Sequence, residues 1–142
     1  METTLPYDIE SEDVLLGSVI RDTEEYDKVS KYFRKKEVFY QDKAQLLWER
    51  ITDMKRQGQV IDTLSVCSSV TKKDAGRGLS KYYITGCTGD TCAKGAAEFY
   101  AIRIYEKYLL RKVIVESEAI SEKAKSNDND IYDRIAIAHS VY

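Results

Sequence analysis

The longest amphipathic pattern of the chain covers residues 93–125. It contains no proline, and its apolar residues recur at helical spacing, so it predicts one long helix. Two apolar lines run along this helix. The first consists of Phe99, Ile102, Leu109, Val113 and Ile120, and the second consists of Ile104, Tyr108, Val115 and Ala119. One line is enough to pack a helix against a core. The second predicts either contact with another chain or a helix wrapped on both sides by its own chain.

Shorter amphipathic segments precede the long helix. Their spacing predicts helices after Asp8, after Thr23 and over residues 42–57, 64–71 and 79–85. Residues 34–37 are charged, and residues 72–78 and 86–91 combine glycine with charged or small polar residues, so these three segments are predicted to be loops.

Gly17 lies in the middle of the first predicted helix. Glycine at such a position costs about 1 kcal/mol relative to alanine. Its presence there indicates that another segment of backbone comes close to the helix.

Residues 126–130, Ser-Asn-Asp-Asn-Asp, form the clearest break in the pattern. Small polar and acidic residues of this kind end helices and begin linkers. We therefore expect a helical domain over residues 1–92, a long helix over residues 93–126, and a linker with the start of a further helix over residues 127–142.

Composition supports an all-α globular chain. Among 142 residues there are one proline and seven glycines, with 43% hydrophobic and 32% charged residues. The net charge of −2 excludes a general electrostatic field for nucleic acid, so contact of this chain with DNA is expected to be weak or absent. With no long apolar run and three cysteines, the chain is expected to lie in the cytoplasm and not in a membrane.

The sequence contains no recognisable catalytic motif, and its many carboxylates lie at positions expected on the surface of helices. No G-x-x-x-x-G-K-[ST] phosphate-binding string occurs, and His139 is the only histidine. We therefore predict no catalytic residue, no bound cofactor and no metal site. An enzyme with an unfamiliar site around Cys87 and Cys92 is the weakest of the alternatives.

Basic residues recur every four positions on the long helix, at Arg103, Lys107 and Arg111. This stripe could contact an acidic partner or a phosphate backbone. The simpler interpretation is a solvated helix face that pairs with Glu106 and Glu116.

Several short motifs follow one another in a familiar order. Residues 6–17, PYDIESEDVLLG, are similar to the pattern P-x-x-x-E-A-E-x-x-[VL]-L-G, with Ser11 at the usual alanine position. Further motifs are Phe39-Tyr40, the stretch from Gly58 through Ile61-Asp62 to Val66, Tyr100-Ala101 with Ile104, and Leu110-Arg111 with Ile114. Together they resemble the N-terminal domain of DnaB-type replicative DNA helicases over nearly the whole chain. Ala44, where that family often has histidine, and a shortened 72–79 region depart from the pattern.

The resemblance implies an all-α fold, with a small helical domain followed by a long helical hairpin used for dimerisation. In that family the hairpins pair between subunits, six domains form a collar as a trimer of dimers, and the collar supports assembly and recruits primase. Whether a helicase loader is a further partner is left open by the resemblance. ATP and Mg²⁺ belong to a motor domain that is absent from these residues.

The residues expected at the interface between subunits are Ile102, Tyr105, Leu109, Val113 and Ile120. The alternative is a free-standing adaptor of phage or plasmid origin that binds a host helicase or primase.

Overall fold

A computed structural model describes residues 4–89 and 91–126. Within them the chain is helical and contains no strand, which confirms the all-α prediction. The helices are α1 (Ile9–Arg21), α2 (Glu24–Val29), α3 (Asp42–Arg56), α4 (Thr63–Ser68), α5 (Lys72–Gly76), α6 (Lys81–Gly89) and α7 (Ala97–Lys125). Two short 3₁₀ turns cover Ser30–Tyr32 and Lys36–Val38. The predicted linker and helix over residues 127–142 lie outside the described residues.

The chain divides into two compact bodies. The larger body is Tyr7–Tyr108, and the smaller body combines Met1–Pro6 with Leu109–Tyr142. The boundaries that the sequence suggests, at residues 92 and 126, stay predictions.

The core of the larger body is built from the apolar faces of its helices. Its largest fully buried side chains are Phe39, Leu15, Leu16, Ile20, Leu47, Ile51, Leu79, Ile84 and Ile104. Three aromatic side chains pack together beside them. The rings of Phe33 and Phe39 stack with centroids 4.5 Å apart, and Trp48 Nε1 donates a hydrogen bond of 3.2 Å to the Phe33 carbonyl oxygen.

A buried carboxylate joins α1 to the start of α3. Glu12 is 1% exposed, and its two oxygens accept hydrogen bonds from the backbone N–H of Tyr40 at 2.8 Å and of Gln41 at 3.2 Å. The side-chain amide of Gln41 donates a further bond of 3.2 Å to Glu12. A buried carboxylate is tolerated only when it is hydrogen-bonded. These bonds therefore hold the backbone of Tyr40 and Gln41 against α1.

The helices α1 and α6 cross with their backbones in contact at Gly17. A methyl group added at Gly17 would overlap the carbonyl group of Cys87. Leu16, beside this glycine, is fully buried. The prediction that another backbone approaches Gly17 is therefore confirmed.

The loop predicted over residues 72–78 is wrong for its first five residues, while residues 77 and 78 form a turn. Lys72–Gly76 forms α5, and Thr71 begins it with a capping box, since its hydroxyl accepts from the Asp74 N–H and the Asp74 carboxylate accepts from the Thr71 N–H. Arg50 Nη2 lies 2.6 Å from Asp74 Oδ2, and this ion pair ties α5 to α3.

The predicted loop over residues 86–91 is also partly wrong, because α6 continues to Gly89. Cys87 and Thr88 are buried, and Cys87 lies against α1 at the helix crossing. Packing of this kind keeps Gly86 and Gly89 helical despite the low helix propensity of glycine.

The long helix begins four residues later than the pattern predicts, at Ala97 instead of residue 93. Gly95 has φ of 85°, in the left-handed region, so the right-handed helix starts only after it. The helix then continues for 29 residues, to Lys125.

Candidate functional site

One line of α7 belongs to the core of the larger body. Ala97, Ala101 and Ile104 are at most 1% exposed, and Tyr108 is half-buried against the same core. These residues recur at intervals of three or four, as one face of a helix requires. Ile104 and Tyr108 belong to the second of the two apolar lines in the sequence, so that line packs on the chain's own core.

The first line of α7 is open to solvent in the larger body. Phe99 is 59% exposed and Ile102 is 40% exposed. Tyr105 is half-buried, and its ring centroid lies 5.9 Å from that of Tyr32. Of the predicted interface residues in this body, Ile102 is therefore accessible and Tyr105 is partly covered by its own chain.

The smaller body contains the other three predicted interface residues. Leu109 is 42% exposed and Val113 is 50% exposed, while Ile120 is half-buried. Leu109 and Val113 are four residues apart, so they lie on the same side of α7. This apolar side of the smaller body, Leu109 with Val113, is called the open face below.

Another side of α7 in the smaller body contacts the N-terminal segment at Pro6. Arg111 is 8% exposed, and its Nη1 donates a hydrogen bond of 3.0 Å to the Pro6 carbonyl oxygen. Val115 follows Arg111 by one helical turn and is 52% exposed. Val113 and Val115 are thus exposed to the same degree on different sides of one helix, about 200° apart at 100° per residue.

The three predicted basic residues of α7, Arg103, Lys107 and Arg111, have different surroundings in the structure. In the larger body, Arg103 donates from Nε and Nη2 to Asp8 Oδ2 at 3.2 and 3.1 Å. Lys107 is half-buried, and Arg111 in the smaller body meets Pro6. A contact of these residues with an acidic partner or phosphate stays a prediction.

The partner of Arg103 is held in its charged form. Partial burial acts to raise the pKa of Asp8, but hydrogen bonds from Ser11 and from Arg103 outweigh it, so the pKa lies below the usual value. Asp8 also caps α1, because its carboxylate accepts from the Ser11 N–H. Arg103 therefore fastens α7 to the beginning of α1 within the larger body.

Three large, exposed apolar residues of α7, Phe99, Leu110 and Val115, were absent from the predicted interface set. Phe99 is the most exposed apolar residue of α7 in the larger body, and Leu110 in the smaller body is 50% exposed. Helical spacing placed Phe99 on the first line, so the sequence already carried its signal. Leu110 lies three residues before Val113, within about 60° of the open face.

Among residues 4–89 and 91–126, no group of three or more histidine, cysteine or carboxylate residues could hold a metal ion. No helix in that part of the chain is long and apolar enough to span a membrane.

Cys87 is 2% exposed, and the half-buried Cys92 has its Sγ 3.0 Å from Ser18 Oγ. The two thiols are therefore packed against α1.

Comparison of the sequence with models of known protein families identifies the family of this chain. The family model described as the DnaB-like helicase N terminal domain matches residues 4–106. The chain belongs to the DnaB-like helicase N-terminal domain family. The family match covers α1 to α6 and the first part of α7, which contains the buried line on Ala97, Ala101 and Ile104.

Solved structures of this family share the fold of the chain. The crystal structure of the N-terminal domain of DnaB helicase from Mycobacterium tuberculosis matches with a TM-score of 0.84 at 19% identity, covering 97% of each chain. A DnaB-like replicative helicase, whose structure was described together with its interactions with primase, matches with a TM-score of 0.74 at 20% identity. That match covers 95% of this chain and 32% of the helicase chain, so the chain spans about a third of that protein. No curated protein matches the sequence.

Proposed function

We propose that this chain is the N-terminal collar domain of a hexameric replicative DNA helicase, where it supports subunit assembly and recruits primase during DNA replication. Membership of the DnaB-like family and the shared fold support this proposal. The similar helicase that interacts with primase is three times as long as the aligned part. ATP, Mg²⁺ and unwinding of DNA are therefore assigned to a motor domain outside these 142 residues, and this domain itself is proposed to hold no cofactor. We place the protein in the cytoplasm, where replication proteins act.

The observation that carries the proposal is the open face of α7. Leu109 and Val113 expose 42% and 50% of their surface side by side, and Leu110 adds a third exposed apolar residue next to them. Apolar side chains that are grouped on one side of a helix gain free energy when a partner removes them from water. The proposed partner is the same face of a second copy, which would give dimers and, from three dimers, the collar.

The experiment compares two valines of the same helix. Val113→Glu places a charge on the open face, and Val115→Glu places the same charge at an equally exposed position on a different side. Light scattering behind a sizing column, over a range of concentrations, is expected to give wild type and V115E masses near twice 16.3 kDa or higher multiples. Burying an unpaired carboxylate in an apolar contact should weaken dimerisation of V113E about 100-fold or more.

Two results would contradict the proposal. If V113E remains folded by circular dichroism and keeps the wild-type mass, the open face is not the interface. A wild-type protein that is monomeric at every concentration would favour the alternative, an adaptor that binds a host helicase or primase as a single copy.

A further inference from the structure

The residues Arg34, Lys35 and Lys36 form an exposed basic turn in the larger body. Within residues 4–89 and 91–126, none of their side chains has an ion pair or a hydrogen bond. Neighbouring cations differ. Lys31 pairs with Glu98 at 3.3 Å, and Lys55 pairs with Asp27 at 3.2 Å. The basic turn therefore presents three consecutive positive charges that the described fold does not use.

The basic turn is fixed at both ends by buried rings. Phe33 and Phe39 flank it, are 4% and 0% exposed, and stack with centroids 4.5 Å apart. The residues after the turn also hold its backbone, because the N–H groups of Val38 and Phe39 donate to the carbonyl oxygens of Lys35 and Lys36 at 3.2 and 3.1 Å. Because its backbone is already ordered, a partner that binds there loses little free energy in ordering it.

A groove of about 360 Å³ lies between the basic turn and α3. Its lining includes three cationic residues and two aromatic residues, with a hydroxyl and two carboxylates on α3. These residues are Arg34, Lys36, Arg56, Phe33, Trp48, Thr52, Glu49 and Asp53. Arg56 lies 3.8 Å from Asp53, a long and exposed contact that a better partner can replace. The groove thus combines guanidinium and ammonium donors, which bind carboxylates, with a small apolar wall.

The charge pattern of the groove selects the class of partner. A nucleic acid would bring a continuous row of phosphates past Glu49 and Asp53, which repel it. The carboxylates of a peptide are spaced along its chain, and its amides can donate to Glu49. We infer that this groove binds an acidic peptide segment of a partner protein, with carboxylates against Arg34, Lys36 and Arg56. The inference concerns a different surface from the open face and does not depend on subunit assembly.

The test measures binding of a fluorescein-labelled decapeptide of alternating Glu and Ala by fluorescence anisotropy. Arg34→Glu combined with Lys36→Glu reverses two charges of the groove. Lys72→Glu combined with Lys73→Glu is the matched control, since these two lysines of α5 are also exposed and also unpaired in the described part of the chain. We expect the dissociation constant to rise about tenfold or more in R34E/K36E and less than about twofold in K72E/K73E.

Three results would overturn the inference. The first is an acidic peptide that does not bind wild type at 50 mM NaCl. The second is an equal loss in both double variants, which would mean attraction by net charge alone. The third is a twenty-residue thymidine oligonucleotide that binds wild type more tightly than the peptide and loses binding in R34E/K36E. All variants are checked by thermal melting, and R34Q/K36Q replaces the charge reversal if that variant does not fold.

Discussion

At the scale of single residues, the first motif of the sequence has a physical explanation. Glu12 is buried and receives the backbone N–H groups of Tyr40 and Gln41, Leu16 is fully buried, and Gly17 leaves room for the Cys87 carbonyl group. Each position therefore admits one kind of side chain: an acceptor, a large apolar group or no side chain at all. Glu10, in contrast, is exposed, and its place in the first turn of α1 favours any acidic side chain there through the helix dipole.

Replacing Gly17 by alanine is expected to destabilise the larger body. The added methyl group would overlap backbone atoms of Cys87, which cannot rotate away, so α1 and α6 must separate. Overpacking of this kind costs about 1–3 kcal/mol and sometimes more. The measurement is the free energy of unfolding in urea.

Gly86→Ala is the matched control for Gly17. Gly86 lies in α6, and an added methyl group there would meet nothing within 4 Å. Alanine should leave stability unchanged or raise it by up to about 1 kcal/mol, because it restricts the unfolded chain. Equal effects of G17A and G86A would show that the close crossing does not determine the requirement for glycine.

At the scale of elements, the placement of α5 depends on one ion pair across the fold. Asp74 accepts hydrogen bonds from the Thr71 backbone and from Arg50, and these hold its pKa at about 2, compared with a usual value of 3.8. A carboxylate with a depressed pKa stabilises the native state fully above the pKa of the unfolded chain. That stabilisation is lost as the pH falls through the native value, here between about pH 4 and pH 2.

The prediction for this element concerns the pH dependence of Asp74→Asn. At pH 7 the substitution should lower the free energy of unfolding by about 1–3 kcal/mol, since it removes a charge-assisted hydrogen bond and weakens the helix cap. Urea unfolding at pH 7, 4 and 2.5 should show the difference from wild type shrinking as Asp74 of the wild type becomes protonated. Asp53→Asn is the control, because Asp53 is 62% exposed and its contact with Arg56 is long. A difference that stays constant from pH 7 to pH 2.5 would contradict the role of the Asp74 charge.

At the scale of the whole molecule, the charges nearly cancel. With a net charge of −2, long-range steering contributes little to any encounter with another protein. A partner must instead recognise local features, of which the open face of α7 and the groove beside the basic turn are two. These two features differ in how salt should affect them, because apolar contacts are insensitive to screening and exposed ionic contacts are weakened by it.

Recruitment of primase can be tested at this scale. A mixture of the chain with the primase of the same organism is expected to elute as a complex whose mass, by light scattering, equals the sum of the two components. If apolar contacts dominate, the complex should persist at about 300 mM NaCl, where the Debye length is well below 10 Å. Separate elution of the two proteins at low salt as well would contradict recruitment of primase by this chain.

The sequence alone predicted the helical class, the family and the close approach at Gly17. It also predicted that α7 carries two apolar lines, because helical spacing and a glycine inside a helix are local signals. The capping box at Thr71 and Asp74 was equally local, and it would have corrected the loop expected over residues 72–78. The predicted interface residues follow from the same spacing, and their pairing with a second copy stays a prediction.

The tertiary structure decided how these elements are used. Propensity predicts a loop at Gly86 and Gly89, but burial of Cys87 and Thr88 keeps α6 helical there. Spacing alone could not assign the two lines of α7, since both are apolar. Packing of Ile104 into the core leaves Ile102 exposed in the larger body. The basic residues of α7 were also equivalent in sequence, and only contacts with residues about a hundred positions away, Asp8 and Pro6, distinguish Arg103 and Arg111 from Lys107. Such long-range contacts have no local signal, so the sequence could not predict them.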